Sequence, residues 1–357
     1  MQDMDESRVQ FLRRLIASPS PSGFEQPVQE VIRAEVSQYT DAVHTDVHGN
    51  VIASLNAGGS PRVMLTAHCD ELGFIIRYID EQGFLYFAPV GGFDPSTLPG
   101  ARVHIHTSNG PLLGVIGCKA AHLMDSEERS HAPNLKNMWI DIGAANREEA
   151  QQLVPLGSVA TRATQLEILR DELVVSRALD DKSGIFSIIE AMRRLHEQRD
   201  KLKASVHFVS TVQEETGLRG ARTSTFEINP QIALIVDVTF ASDHPGTSKQ
   251  LLGDVKLHAG PGLTIGGFTN PRVYQLLVAA ATSAGITYQY DIQAGYTGTD
   301  NDSVQVSRSG VATGLLNIPC RYMHSGSEIV SLKDIDNAAE LMAQFVFVLD
   351  EQTNLIP

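Results

Sequence analysis

The sequence predicts an α/β fold, a layered domain interrupted by a smaller β-rich one, and three observations carry that expectation. Compact apolar runs alternate with amphipathic helical periodicities towards both ends of the 357 residues. Between about Phe74 and Arg162 this rhythm gives way to short, closely spaced β runs. Hydrophobic residues at 42% and charged residues at 20% give an ordinary globular balance, which excludes wholesale disorder.

Arg8 to Ala17 and Glu25 to Tyr39 have helical spacing, and Ser22 and Glu25 stand at the capping-box interval ahead of the second. The turn-rich stretch Thr45 to Asn50 leads into a strand over Val51 to Leu55. A Gly-containing turn follows through Pro61. The apolar run Val63 to Ala67 then suits a strand covered on both faces. In the middle of the chain, Phe74–Tyr78, Phe84–Val90, Arg102–Thr107, Pro111–Gly117 and Met138–Ile142 read as strands of a small sandwich or barrel. Glu148 to Leu153 reads as one short helix. After Leu173 the α/β rhythm returns. Gly184 to Gln198 places Ile185, Ile188, Ile189, Met192 and Leu195 on one helical face. Strands are expected at Ser205–Val212, Ile232–Val236 and Gly314–Ile318. Helices are expected at Pro271–Ala284, with Pro at a first-turn position, and at Asp334–Leu349.

Composition removes several functions. Lys and Arg number 28 against 42 Asp and Glu, a formal charge of −14. That balance argues against a general nucleic-acid binder, which needs clustered cations for phosphates. Cys69, Cys118 and Cys320 are too few and too scattered for a disulfide framework or a Cys-based zinc site, and a cytoplasmic setting is the simplest expectation. The acidic start, Met1 to Glu6, lacks the apolar core of a secretory signal. No run approaches the ~20 apolar residues of a membrane span.

The chemistry stands at the ends of the apolar runs. The first ends in His68-Cys69-Asp70-Glu71. Leu173-Val174-Val175 leads to Asp180-Asp181. The run through Val212 gives Gln213-Glu214-Glu215, Ile235-Val236 gives Asp237, and Gly314–Ile318 leads to His324. In open α/β sheets the crevice beyond the strand C-termini is where sites form. A two-metal site needs one bridging carboxylate and a His plus a carboxylate for each ion, and His68, Asp180, Glu215, Asp237 and His324 fit that inventory. Glu214 remains as a general base. Asp70, two residues after His68 in an extended segment, suits a carboxylate that fixes the imidazole's tautomer. Taken singly, each residue is as well read as a strand-end polar group or a helix start. Their convergence is what points to metal chemistry.

Ala67-His68-Cys69-Asp70-Glu71-Leu72-Gly73, Ala178-Leu179-Asp180-Asp181, Gln213 to Ala221, Asp237-Val238-Thr239 and Arg321-Tyr322-Met323-His324-Ser325 resemble the co-catalytic dinuclear metallo-aminopeptidases. The resemblance is to metallopeptidase family 42, the TET-type and glutamyl aminopeptidases, and it runs through most of the chain. It implies a three-layer α/β catalytic domain with a mixed sheet, residues 1–72 and 164–357, and an inserted barrel-like domain at 73–163 that serves subunit contacts. It implies Asp180 as the bridge, with His68, Glu215, Asp237 and His324 completing two sites, Glu214 as the base and Asp70 as the orienting carboxylate. The expected activity is hydrolysis of N-terminal residues from short peptides by a water activated between two divalent ions. Zinc is the default ion, and cobalt or manganese are able to substitute. A large homo-oligomer, a tetrahedral dodecamer, is implied as well. The 112-residue separation of His68 and Asp180 exceeds any ordinary loop, so a folded insertion at that place agrees with the family independently of the motifs.

Two departures from the family pattern fall near the site. Asn301 and Asp302 follow Thr299-Asp300 where a small residue is usual, and Gly326 stands where relatives often have Pro. Other candidates read as structural: His104 and His106 on one strand, His122, Glu127, Glu128 and His131 in an irregular stretch, Cys69 turned away from the ligands, Trp139 in the insertion core, and Gly58-Gly59 as a turn. Three rival functions stand beside the aminopeptidase. A glycoside hydrolase would leave both His residues without a role. A non-catalytic family member would be expected to have lost a ligand or the base. An N-acyl-amino-acid deacylase would share the chemistry and differ in its pocket.

Overall fold

A computed structural model describes residues 6–357; the acidic start, Met1 to Asp5, lies outside the described residues, as does the side chain of Glu128. The chain begins with helices α1 (Glu6–Ala17) and α2 (Gln26–Val36), followed by strands β1 (Ala42–Thr45), β2 (Val51–Leu55) and β3 (Arg62–His68). Next come β4 (Gly73–Ile79), β5 (Leu85–Val90), β6 (Arg102–Thr107), β7 (Gly110–Gly117), α3 (Ser126–Ser130), β8 (Trp139–Asp141), α4 (Arg147–Leu153) and β9 (Val159–Arg162). The remainder runs β10 (Glu167–Ile168), β11 (Leu173–Ser176), α5 (Leu179–Glu197), β12 (Ser205–Thr211), α6 (Arg219–Ile228), β13 (Ile232–Phe240) and α7 (Lys249–Leu252). It closes with β14 (Gly262–Gly266), α8 (Pro271–Ala284), β15 (Gln289–Gln293), α9 (Asn301–Val304), β16 (Ala312–Cys320), β17 (Glu328–Ser331) and α10 (Leu332–Phe347). Among the described residues no helix is long and apolar enough to cross a membrane.

Among the described residues the main sheet has eight strands in the order β1-β2-β12-β3-β13-β16-β14-β15. Its centre, β12, β3, β13 and β16, is parallel, and antiparallel pairings at β2–β12 and β14–β16 make it mixed. Successive side chains of a strand face opposite sides, and β3 shows the consequence. Val63, Leu65 and Ala67 join the large core packed by α1, α2, α5, α8 and α10, while Met64 joins a second core with Ala221 of α6 and Val304 of α9. Helices on both faces of one sheet give the three layers, and a strand covered on both sides must be apolar almost throughout, as β3 is.

The inserted strands close into a barrel in the order β4-β5-β8-β7-β6-β9, around a separate core that includes Phe74, Ile76, Ile105, Ile116 and Ile140. The chain enters by β4 and leaves by β9, which are paired neighbours (Phe74 opposite Ala160), so the entry and exit lie side by side. The sequence reading of the middle region as sandwich or barrel thus resolves to a barrel.

Local expectations differ from the fold in several places. Ser22 does not cap α2. Its hydroxyl donates to Asp70 Oδ2 at 2.6 Å, and Glu25 occupies the cap position without a side-chain bond to the helix, its carboxylate instead taking the N–H groups of Gly23 and Gln213. The long helix begins at Leu179 rather than Gly184, with Asp180 and Asp181 in non-helical conformations at its head. Strands β14 and β15, which widen the sheet, were not foreseen. Gly58-Gly59 is a turn as expected, and Gly59 is required there: a Cβ would lie 2.3 Å from the Lys203 carbonyl oxygen.

Candidate active site and metal centre

The parallel strands deliver their chemistry to one end of the sheet. His68 is the last residue of β3, and Glu214 and Glu215 follow the last residue of β12. β13 pairs with β3 only as far as Ile235 opposite Thr66, so Asp237 stands where the two strands part. His324 lies beyond β16, and Asp180 stands at the head of α5. This is the crevice of an α/β sheet that the sequence pointed to.

Asp180 ties the group together. Its Oδ1 lies 3.1 Å from His68 Nε2 and its Oδ2 lies 3.2 Å from His324 Nε2. Glu215 Oε2 is 3.7 Å from the same His324 nitrogen. Two sets of donor atoms emerge, each within 4.8 Å of one another: His68 with Asp181 and Asp237, and Asp180 with Glu215 and His324. The five sequence-derived ligand candidates are therefore brought together, while Glu214 falls in neither set. Asp181 is the addition. It is fully buried, its Oδ1 takes the N–H of Gly184, and its Oδ2 has no hydrogen-bond partner among the described residues. Its place beside Asp180 was the only sequence signal for it.

Asp70 works through more atoms than expected. Its backbone oxygen, 3.1 Å from His68 Nδ1, takes the imidazole N–H, while its carboxylate is 3.5 Å away. That leaves Nε2 free to face Asp180. The carboxylate itself accepts the backbone N–H groups of Glu214 (3.0 Å) and Glu215 (3.1 Å), together with the Ser22 hydroxyl. Glu328, which the sequence did not single out, accepts the N–H groups of Asp180 and His324.

The charge balance tests whether this set fits metal ions. Burial pushes the carboxyls of Asp181 and Glu214 well above their ordinary range, and those of Glu215 and Asp237 up to about 8, with neighbouring carboxylates adding to each shift. Asp180 alone is held low: the imidazoles of His324 and His68 outweigh its burial. His324 is raised to about 9, first by its bond to Asp180. Too many buried anions thus share too little positive charge. Two divalent cations would supply it, the unpartnered Asp181 oxygen would gain a partner, and mixed imidazole and carboxylate donors suit zinc and its neighbours.

Several of the remaining candidates have structural contacts of their own. His106 Nε2 bonds Thr161 Oγ1 at 2.9 Å, and burial pushes the ring down to about 4. His131 is exposed and bonded to the Glu127 carbonyl, and His122 is exposed as well. Cys69 is buried in the main core. Trp139 packs on the barrel against Phe84. Both departures from the family pattern have local reasons. Asp302 takes the N–H groups of Thr297 and Gly298, and Asn301 is buried and bonded to the Phe268 carbonyl. At Gly326 a Cβ would lie 2.5 Å from an Arg162 guanidinium nitrogen, so a side chain here requires the Arg162 side chain to move.

The fold and this cluster define the class: a three-layer α/β protein with paired His and carboxylate groups at the C-terminal end of its sheet. Residues 49–341 match the model of the M42 glutamyl aminopeptidase family. The chain is 33% identical to the lysyl aminopeptidase of Pyrococcus furiosus over 335 residues, 93% of this chain and 94% of that one. The TET aminopeptidase of the marine sediment archaeon Thaumarchaeota archaeon SCGC AB-539-E09 superposes with a TM-score of 0.93 at 31% identity, covering 98% of both chains. The Pyrococcus horikoshii TET1 peptidase, described as assembling into a tetrahedron or a large octahedral shell, gives 0.85 at 32% identity over 96% of this chain and 100% of that one. The chain belongs to the M42 glutamyl aminopeptidase family and is of the TET aminopeptidase type.

Proposed function

We propose that this aminopeptidase removes N-terminal residues from short peptides using two divalent metal ions, zinc in the first instance, with Glu214 as general base. The observation that carries the reading is Asp180, whose two carboxylate oxygens each face a different imidazole. In this assignment Asp180 is shared, His68 and Asp237 serve one ion, and Glu215 and His324 serve the other, with Asp181 as a further donor beside the first. When bound, such ions polarise a scissile carbonyl and lower the pKa of water. Glu214, buried at the same crevice and anchored through its N–H to Asp70, takes the proton of the attacking water and returns it to the leaving amine. The buried carboxylates also offer an anionic setting for the free α-ammonium of the substrate.

The test is a panel of aminoacyl chromogenic substrates, run after chelation and after adding back zinc, cobalt or manganese. Activity should disappear and return, and full activity in a verified metal-free preparation would overturn the reading. An acetylated peptide should resist cleavage. Its preferential cleavage would favour a deacylase. A glycoside hydrolase has little support here, since both imidazoles sit on the Asp180 carboxylate.

The same reading assigns residues 1–72 and 164–357 to catalysis and 73–163 to subunit contacts in a cytoplasmic, tetrahedral dodecamer. The assembly described for the Pyrococcus horikoshii relative supports it. Because β4 and β9 are adjacent, a short linker can replace the barrel. Light scattering on that variant should show fewer subunits, and an unchanged number would refute the role.

A further inference from the structure

Glu328, the first residue of β17, is almost fully buried at 3% exposure. Its Oε2 accepts the backbone N–H of Asp180 at 3.1 Å, and its Oε1 accepts that of His324 at 3.0 Å. Both N–H groups lie where regular structure offers no acceptor. Asp180 is at the head of α5, where helical N–H groups are orphans, and its ψ of 107° is extended. His324 lies past the end of β16 with φ +61°, close behind Tyr322 at φ +60°. A buried backbone donor must find a partner, and one carboxylate serves both. A carboxylate presents acceptors alone, whereas an amide would turn a donor towards one of the two N–H groups. It is nevertheless a further acidic group beside Asp180 and Glu215, an arrangement that a plain backbone cap does not require.

We propose that Glu328 is a positioning residue that fixes Asp180 and His324 relative to each other, and so builds the Asp180–Glu215–His324 half of the centre rather than the His68–Asp181–Asp237 half. This rests on the two-metal reading above. The two side chains that it sets meet at 3.2 Å, and His324 is contributed by a turn that β17 anchors through the pairing of Arg321 with Ile329. Strand β17 is in turn paired with β11, placing Glu328 opposite Ser176, four residues before Asp180. Glu328 thus joins the two ligand-bearing segments at a single point.

The experiment is Glu328→Gln in the full-length chain, stripped of metal and titrated with Zn2+ by calorimetry, and with Co2+ to record its absorption spectrum. The ion held with Glu215 and His324 should bind about 10–100-fold more weakly, the usual cost of losing a partner behind a ligand, and the other, which keeps His68 and Asp237, should change clearly less. The Co2+ spectrum should change for the weakened site alone. A lower melting temperature with both affinities unchanged would mean a purely structural role and overturn the proposal. His324→Ala and Asp180→Ala serve as references. If neither alters metal stoichiometry, the two-metal reading fails, and the proposal falls with it. If the Gln variant does not fold by circular dichroism, Glu328→Asp, with both acceptors on a shorter arm, carries the same test. Selective weakening of one ion supports the proposal, and two unaltered ions overturn it.

Discussion

The backbone N–H of Glu214 donates to Asp70 Oδ1 at 3.0 Å. One carboxylate beyond the first ligand therefore holds the proposed base, while its other oxygen holds Glu215 and its own peptide oxygen holds His68. The strand ends at Thr211 and Gln213 has φ +58°, so Asp70 adds to the turn's own bonds, among them the Gly217 N–H to the Glu214 carbonyl at 2.9 Å. Ser22 and Glu25 add a second layer, the first bonded to Asp70 and the second to the Gln213 N–H.

Asp70→Ala is accordingly expected to lower kcat by about 10–100-fold, with a smaller change in KM, because it misplaces the base and a ligand together. It should also lower the melting temperature, since buried N–H groups lose their acceptors. Steady-state kinetics with metal analysis checks this, and a variant with wild-type kcat would show that the turn is held by other contacts.

Asp180→Ala should damage metal binding more than Asp237→Ala. Asp180 lies within reach of both imidazoles, whereas Asp237 belongs to the His68 group alone. Metal analysis after exhaustive dialysis should find Asp180→Ala depleted in both ions and Asp237→Ala in one. Normal two-metal stoichiometry in Asp180→Ala would move the bridge to Asp181, whose free oxygen is the nearest alternative.

Away from the centre, Asp334 in the first turn of α10 gives a pH test of stability. Burial pushes its carboxyl from 3.8 up to about 6, against the N–H groups of Gly260 and His258 and the charges of His258 and Lys333. Between those values the folded chain keeps a proton that the unfolded chain has released. This contribution to stability is therefore full below the unfolded value and is lost as pH rises through about 6. Melting temperatures of wild type and Asp334→Asn should diverge across that window, the wild type losing stability more steeply with rising pH. Parallel profiles would contradict the shift.

What the sequence revealed, and what it hid, follows from how each residue is buried. β3 and β13 were legible because both faces are covered, which forces unbroken apolar runs. β15 was not, because its pattern is inverted: Tyr290 and Ile292 face outwards, while Asp291 faces inwards and is satisfied by Asn317 and Thr264. Ser22 had the spacing of a helix cap, but a long-range carboxylate took its hydroxyl, and no local pattern encodes a partner 48 residues away. The ligand candidates were legible because His and acidic residues at the ends of apolar runs have few structural reasons to converge. Glu328 was hidden because its work is done on backbone groups, which leave no trace in residue type.

The adjacent residues Glu214 and Glu215 permit the sharpest test. Glu215 Oε2 lies 3.7 Å from His324 Nε2 and belongs with Asp180 and His324, whereas Glu214 belongs to neither donor set. Glu214→Gln should keep the metal content and lose turnover. Gln is nearly isosteric and still bonds a water, but does not accept its proton at neutral pH. General acid–base catalysis is worth roughly 10²–10⁴-fold, and a residue that moves the proton in both directions should fall at the upper end. KM should change much less, because the lost interaction belongs to the transition state. Glu215→Gln should instead weaken the ion shared with His324, and excess metal should restore part of its rate. Metal analysis and kinetics on the two variants therefore give opposite signatures, metal kept with turnover lost against metal lost with turnover rescued. Swapped signatures would make Glu215 the base and Glu214 the ligand, and would require the turn that Asp70 grips to be rotated by one residue in the working enzyme.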